Sequence, residues 1–354
     1  MHNTPPLGRG RRRLRGGRAF ITAGAALATA AGLAACGSST TQSPKSQLSA
    51  AVRSLGSTSD LTLTLHLSTT PSQLTQLDHS IPGPVAALLS DATLTREVQT
   101  VNGKPLNTVV DATGQRRTPA AAGLVNSDLS LEANGTRYLE LRTVKGVAYA
   151  HVDIGAFQGL TGAPLSALAT QIPPGPNRQA ALAVLTGHWV SVDLNQLYQG
   201  GAAPSTTANP NRAAVVSQLE GVVSRDTSVT RTSSNSGTDT LTVSANVATL
   251  GHDLLSTLAT AAPQRLQAPL AQVGSRLPQK TVSAQAQVTG TTLNQVSFDL
   301  AQLARSGSPL AGQHLPLVLD VSHASHPAIS APAGAVPVNV ANLGALSRQL
   351  HPGG

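Results

Sequence analysis

Residues 60–67 read DLTLTLHL, and their strict alternation of apolar and polar side chains decides the fold. A period of two residues is typical of a half-buried β-strand, because successive side chains point to opposite faces. One face carries Leu61, Leu63, Leu65 and Leu67. The other face carries Thr62, Thr64 and His66. The stretch therefore predicts a sheet with an apolar face that needs a cover.

The same alternation recurs along the chain and predicts further strands. The runs lie at 92–101, 106–112, 128–142, 147–154, 189–194, 227–232, 238–247, 281–289, 292–300 and 315–322. Most are joined by turn dipeptides, namely Asn102-Gly103, Asn134-Gly135, Lys145-Gly146, Ser236-Gly237 and Thr289-Gly290. Short turns between alternating runs indicate hairpins, so we expect a large antiparallel sheet of about ten strands.

Between the strands lie short amphipathic segments that predict helices. They are found at 83–90, 163–171, 178–186, 211–224 and 251–276, the last interrupted by Pro263 and Pro269. Strands and helices together predict the α+β class, with a single domain over 48–341 and a C-terminal tail over 342–354. The Gly- and Pro-rich stretch 200–211 comes closest to a linker, but a long surface loop explains it equally well.

A weak internal repeat occurs at the ends of four predicted strands. AHVDIGAF (150–157), VSVDLNQL (190–197), VSANVATL (243–250) and VSFDLAQL (296–303) share a strand, a polar residue and then apolar residues one and four positions later. The polar residues are Asp153, Asp193, Asn246 and Asp299. Such side chains accept hydrogen bonds from backbone N–H groups at the start of a helical turn. We therefore interpret them as helix caps rather than as catalytic carboxylates.

The N-terminus has the order of an export signal. A basic stretch precedes the weakly apolar run 19–35, which is too short and too rich in Ala and Gly to form a stable membrane span. Its end, Leu33-Ala34-Ala35-Cys36, resembles the bacterial lipobox, and Cys36 is the only cysteine of the chain. We predict a signal peptide over 1–35, a lipid anchor on Cys36 and a flexible tether over 36–47. The mature protein is then held on the extracytoplasmic face of the cell membrane. The sequence leaves open whether export follows the general or the twin-arginine route.

Composition excludes several classes of function. The chain has 24 basic and 16 acidic residues, but six arginines precede residue 19, and without them 18 basic residues face 16 acidic ones. The body of the chain is thus nearly neutral and poor in aromatic residues, which argues against nucleic acid as a partner. A single cysteine forbids an internal disulfide. We predict a monomer.

The sequence also lacks the common motifs of catalytic and cofactor-binding sites. No nucleophile elbow, P-loop, dinucleotide fingerprint or zinc-protease motif occurs, so we predict no enzyme and no cofactor. His323 and His326 are three residues apart and could share a metal on a helix. Pro327 and the preceding strand place them in an extended loop instead, and we therefore interpret them as solvated side chains and predict no metal site.

Several segments together resemble the LppX/LprG-type lipoproteins of actinobacteria. They are GTRYLELRTVKGVAYAHVDI (135–154), HWVSVDL (188–194), TLTVSANVATLGHDLLSTL (240–258), TLNQVSFDL (292–300) and LVLDVSHASHPAISAPAGAVPVN (317–339), within a resemblance that covers roughly 48 to 340. The resemblance implies a curved antiparallel half-barrel wrapped over helices, similar to the Lol-type lipoprotein carriers. It also implies a lipid or lipoglycan acyl chain held between sheet and helices.

Two functions remain open at this stage. In the first, the chain is a membrane-anchored lipid carrier whose cavity is lined by Leu61, Leu63, Leu65, Leu67 and Trp189. In the second, it is a structural or interaction lipoprotein of the cell envelope with a filled core. Bound lipid would distinguish the two.

Overall fold

A computed structural model describes residues 42–109, 123–161, 174–199, 212–261, 277–304 and 312–339, together with 169, 172, 307, 308 and 310. The predicted signal peptide, Cys36 and the C-terminal tail lie outside these ranges. So do most of the helix predicted at 163–171 and both Pro263 and Pro269.

Helices occur between runs of consecutive strands along the described chain. The helices are α1 (Pro44–Ser57), α2 (Pro71–Leu77), α3 (Gly83–Asp91), α4 (Ile154–Thr161), α5 (Arg178–Leu185), α6 (Leu194–Gln199), α7 (Arg212–Asp226) and α8 (Val247–Ala261), with a 3₁₀ turn at Leu300–Leu303. The strands are β1 (Asp60–Leu67), β2 (Thr93–Thr100), β3 (Val125–Ala133), β4 (Thr136–Val144), β5 (Val147–Val152), β6 (Val190–Asp193), β7 (Thr227–Asn235), β8 (Thr238–Asn246), β9 (Thr281–Thr289), β10 (Thr292–Asp299), β11 (Pro316–Ser322) and β12 (Val336–Pro337).

The strands form one open sheet in the order β12-β6-β5-β4-β3-β2-β1-β11-β10-β9-β8-β7. Strands β1 to β6 form one meander and β7 to β11 a second, and the two join where β1 pairs antiparallel with β11. The short β12 pairs parallel with β6, whereas the other ladders are antiparallel. The predicted α+β class and its large antiparallel sheet are confirmed.

The hairpin turns follow from residues that tolerate a left-handed backbone. Asn134 and Gly135 have φ of 50° and 69°, and Lys145 and Gly146 have φ of 49° and 84°. Two successive positive φ angles produce the turn whose twist matches that of the flanking strands. The turn between β3 and β4 divides the predicted run 128–142 into two strands.

The four predicted caps are confirmed. The side-chain oxygens of Asp153, Asp193 and Asp299 accept the backbone N–H groups of Ala156, Asn195 and Ala301, each at 2.9 Å. The side chain of Asn246 accepts the amides of Ala248 and Thr249 at 3.0 and 3.1 Å. Each cap lies at the end of a strand and begins a helical turn. The helices α4, α6 and α8 and the 3₁₀ turn therefore start directly at the ends of β5, β6, β8 and β10.

Removing a cap should weaken the fold without touching the sheet. The carboxylate of Asp299 accepts from both Ala301 and Leu315, and these bonds outweigh the effect of burial, so the pKa of Asp299 lies below its ordinary value. We expect Asp299→Ala to lower the free energy of unfolding by about 0.5–2 kcal/mol in urea titrations. Asp299→Asn keeps an acceptor and should lose less. Equal losses in both variants would contradict the capping role.

Two predictions about local structure are wrong. Residues 44–47 were assigned to the tether, but α1 begins at Pro44 after the Ser43 cap, and Gln47 is buried. Residues 106–112 were predicted as a strand, but 106–109 form a helical turn, in which the amides of Thr108 and Val109 bond to the carbonyl of Pro105. In both places a proline favours the first turn of a helix, where its missing N–H costs nothing.

Three apolar clusters hold the described elements together. The largest packs Leu48, Ala51 and Val52 of α1 against the sheet around Leu241 and Val296. A second cluster joins α2 and α3 to the end of β1, and a third joins α5 to β5, β6 and β12. All three lie on the same face of the sheet, which we call the leucine face because the leucines of β1 belong to it.

Candidate functional site

The strand register shows which side chains share the leucine face. Directly paired residues of an antiparallel ladder point to the same side. One row across the sheet comprises Leu241, Ala286, Val296, Leu319, Leu65, Leu94, Leu131 and Leu139, from β8 to β4. The neighbouring row comprises Leu63, Arg96, Leu129, Leu141 and Ala150, from β1 to β5. The apolar face thus continues through the centre of the sheet.

Helices cover the two ends of this face. Leu61 and Leu63 pack against the α1 cluster, and Leu67 packs against the cluster of α2 and α3. At the other end, Ala150 and Val190 pack against α5. Three of the four predicted cavity leucines are therefore core residues, and only Leu65 stays outside these clusters among the residues that the structure describes.

The centre of the face is less covered. We define the leucine patch as Leu65, Leu94, Leu129, Leu131, Leu139 and Leu141. Within the described ranges none of the six belongs to a core cluster. None is fully buried, and Leu141 is 39% exposed. A group of partly exposed leucines outside the packed clusters is a candidate binding surface.

The structure does not bring Trp189 to the leucines. Val190 pairs with Ala150 on the leucine face, and Trp189 precedes Val190, so its side chain points to the opposite face. There its ring lies 5.2 Å from the ring of His151. The period of two residues along a strand is the physical reason that Trp189 cannot share a site with Leu65.

Trp189 belongs instead to a charged cluster on the opposite, polar face. The guanidinium of Arg142 lies 5.1 Å from the centre of the indole, a cation–π distance. The Nε of Arg142 also donates to Asp128 at 2.9 Å and to Glu140 at 2.6 Å. The carboxylate of Glu140 is 6% exposed and binds Arg137 at 3.2 Å as well. Two carboxylates thus share the charge of Arg142.

The two carboxylates have opposite pKa shifts. Burial, followed by repulsion from Glu140, raises the pKa of Asp128 from 3.8 to about 6. Burial also raises the pKa of Glu140, but hydrogen bonds from Arg142 and Arg137 outweigh it, and the net shift is downward. One oxygen of Asp128 is buried without a hydrogen-bond partner in the described part of the chain.

A segment that follows β11 covers part of this polar face. Residues 323–338, here called the C-terminal strap, run from β11 across the sheet to β12 beside β6. His326 Nε2 bonds to the hydroxyl of Thr62 at 2.8 Å. Arg142 donates to the backbone carbonyl of Ser330 at 3.3 Å. The amide of Val336 donates to the backbone carbonyl of Trp189 at 2.8 Å. The prediction of solvated loop histidines is wrong for His326, because the strap presses it against β1.

Other places in the described structure offer no comparable site. A cleft of about 320 Å³ at the β7 edge is lined by polar and charged residues, among them Arg225, Asp226 and Ser244. Within the described ranges, no three His, Cys, Asp or Glu side chains are grouped to hold a metal. No helix in those ranges has the length and apolar character required to cross a bilayer.

Sequence reasoning missed most of the leucine patch and Arg96. The alternation at 92–101 and 128–142 marked these residues as strand positions. It did not show which face of each strand lay beside the leucines of β1. The missing information is the pairing register, which joins Leu65 to Leu94 and Leu63 to Arg96.

The fold defines the class as an α+β protein built on one open, mostly antiparallel sheet, with helices packed on one face and the C-terminal strap on the other. No family model and no curated protein matches the chain. Among solved structures, the lipoprotein LppX of Mycobacterium tuberculosis is similar over 80% of this chain and 95% of its own, with 8% identity and a TM-score of 0.30. The relation to LppX/LprG-type lipoproteins therefore stays a prediction from the sequence.

Proposed function

We propose that this protein is a membrane-anchored lipoprotein that binds a hydrophobic ligand, a lipid or lipoglycan acyl chain, on the leucine patch. The observation that carries the proposal is the patch itself, six leucines on the four neighbouring strands β1 to β4 between covered ends of one face. Binding of this kind needs no catalytic residue.

The dimensions of the patch suit an acyl chain. Leu65, Leu94, Leu131 and Leu139 lie on four successive strands, which at about 4.8 Å per strand span about 14 Å. Leu129 and Leu141 extend the neighbouring row. A chain laid across them transfers methylene groups from water to leucine side chains, and each buried methylene contributes about 0.8 kcal/mol. Several methylenes therefore give useful affinity.

Substitution by tryptophan distinguishes open from filled positions. We expect Leu65→Trp to change the free energy of unfolding by less than about 1 kcal/mol while reducing bound acyl chains, because the added volume occupies ligand space. Leu63→Trp is the matched control in a packed cluster, where overpacking costs about 1–3 kcal/mol. Thermal melts and lipid extraction on both variants test this. Loss of stability in both, from a parent without lipid, would reject the carrier.

The second candidate is the structural or interaction lipoprotein with a filled core. It is favoured by the packing of Leu61 and Leu63 against α1 and of Leu67 against α2 and α3. In that case the leucine patch is covered by protein, and native mass spectrometry of membrane-extracted protein should find no bound lipid.

Anchoring to the membrane should depend on the sulfur of Cys36. No stretch after it offers 18 continuous apolar residues for a span. We expect Cys36→Ala to leave the detergent phase on Triton X-114 partitioning, either soluble or unprocessed, while the neighbouring Ser38→Ala stays with the parent. A Cys36→Ala protein that partitions like the parent contradicts the lipid anchor.

A further inference from the structure

Arg96 is the one residue of the two central rows that does not fit an apolar surface. It pairs with Leu63 of β1 and with Leu129 of β3 on the leucine face. Its neighbours on the same face of β2 are Leu94 and Val98, which pair with Leu65 and Leu61. Arg96 is exposed rather than buried under a helix. A cation therefore lies in the middle of an apolar strip.

No carboxylate in the described part of the chain pairs with Arg96. The acidic residues of the adjoining strands point the other way. Glu97 pairs with Thr62 and Asp128, which places both acids on the polar face together with the strap. The sheet thus separates the guanidinium from every acidic side chain of β2 and β3.

On one side of Arg96 its row holds Leu63, which packs in the α1 cluster, and on the other side apolar side chains follow outside that cluster. In its own row they continue through Leu129 and Leu141 to Ala150, and the row of Leu94 runs alongside. In the row on the other side, Val98 is followed by Ser127 and Thr143. Two adjacent rows lie about 7 Å apart along the strands, which is the width for one acyl chain rather than for several.

We infer that the ligand of the leucine patch is a single-chain anionic lipid, a fatty acid whose carboxylate pairs with Arg96 while its chain runs over Leu129 and Leu141 toward β5. This inference rests on the function proposed above. The guanidinium presents a planar fork of donors that matches a carboxylate with two parallel hydrogen bonds. Leu94 and Val98 flank Arg96 on the same face of β2, so the pair forms beside apolar side chains.

The test compares two ligands with the same chain length, one with an ionised carboxylate headgroup and one with a neutral hydroxyl headgroup. Palmitate and hexadecanol are titrated into delipidated protein at pH 8, each in competition with a fluorescent fatty alcohol. We expect the parent to bind palmitate about tenfold more tightly than hexadecanol, in keeping with a charge-assisted hydrogen bond. Arg96→Gln should lose this preference and keep its affinity for hexadecanol. Arg178→Gln, which removes an exposed arginine at the start of α5, should behave like the parent.

Each remaining outcome rejects a defined statement. Equal affinity of the parent for both ligands, with no effect of Arg96→Gln, overturns the anionic headgroup but leaves the acyl-binding function standing. Binding of neither ligand overturns both. A parallel fall in both affinities for Arg96→Gln assigns the arginine a structural role and also overturns the inference. Arg96→Lys keeps the charge and should retain part of the preference, which guards against a folding defect in the glutamine variant.

Discussion

Replacing Leu241 by alanine should lower the free energy of unfolding by about 2–5 kcal/mol. Leu241 is 0% exposed and lies in the cluster that joins α1 to the sheet. Its removal deletes three buried carbon atoms and leaves a cavity, because β8 is held by ladders on both sides and cannot close the space. Urea unfolding of the mature protein measures the loss.

Leu139→Ala is the matched control for Leu241→Ala. Both leucines belong to the same row of the leucine face, with six strands between them, but Leu139 is only half-buried and lies in the patch. Since part of its surface is already in water, we expect a loss of about 1 kcal/mol in the delipidated protein. Equal losses for the two variants would mean that the patch is packed like the core and would favour the structural lipoprotein.

Stability should depend on pH through Asp128. Its pKa is about 6 in the folded protein and 3.8 in its ordinary state, so the folded protein holds this proton more tightly than the unfolded chain does. The contribution of the protonated group is present below pH 4 and is lost as the pH rises through 6. The shift corresponds to at most about 3 kcal/mol, and because the side chain is 16% exposed and beside Arg142, we expect about 2 kcal/mol.

Asp128→Asn isolates this effect, because asparagine cannot ionise but can still accept from Arg142. The stability of the variant relative to the parent should rise by about 2 kcal/mol between pH 4 and pH 7, measured by denaturant midpoints in a constant ionic strength. Asp239→Asn is the control. Hydrogen bonds from Ser234 and Gln47 lower the pKa of Asp239, so its contribution is lost only as the pH falls below about 4, and Asp239→Asn should leave the profile between pH 4 and pH 7 nearly unchanged. A flat difference between the parent and Asp128→Asn would contradict the raised pKa.

The arginine that binds Asp128 also binds the C-terminal strap. Arg142 holds Asp128 and Glu140, stacks on Trp189 and donates to Ser330 of the strap. When Asp128 ionises, its carboxylate and that of Glu140 both attract the guanidinium of Arg142, which also bonds to the strap. The variant Asp128→Asn should leave ligand binding on the leucine patch unchanged, because the sheet lies between the two faces.

Several features were predictable because they depend on neighbouring residues alone. The alternation DLTLTLHL predicted β1 with its observed bounds of 60 and 67, and the run at 281–289 predicted β9 with equal accuracy. The caps at Asp153 and Asp299 were predictable for the same reason, since a cap bonds to amides two or three residues away. The sequence does not predict α1, because PKSQLSAAVRSLGS is polar and continues the composition of the tether; the Ser43 cap, Pro44 and packing on the sheet together stabilise it.

By itself, the sequence determined most of the strands, the hairpin turns and the strand-end caps, because these depend on side chains within a few residues of one another. Only the tertiary structure decided which faces lie together. It placed Leu65 beside Leu94, set Arg96 between Leu63 and Leu129, and turned Trp189 to the opposite side. A shift of one residue in pairing would exchange the two faces of a strand, and that register is set by contacts between residues far apart in the chain.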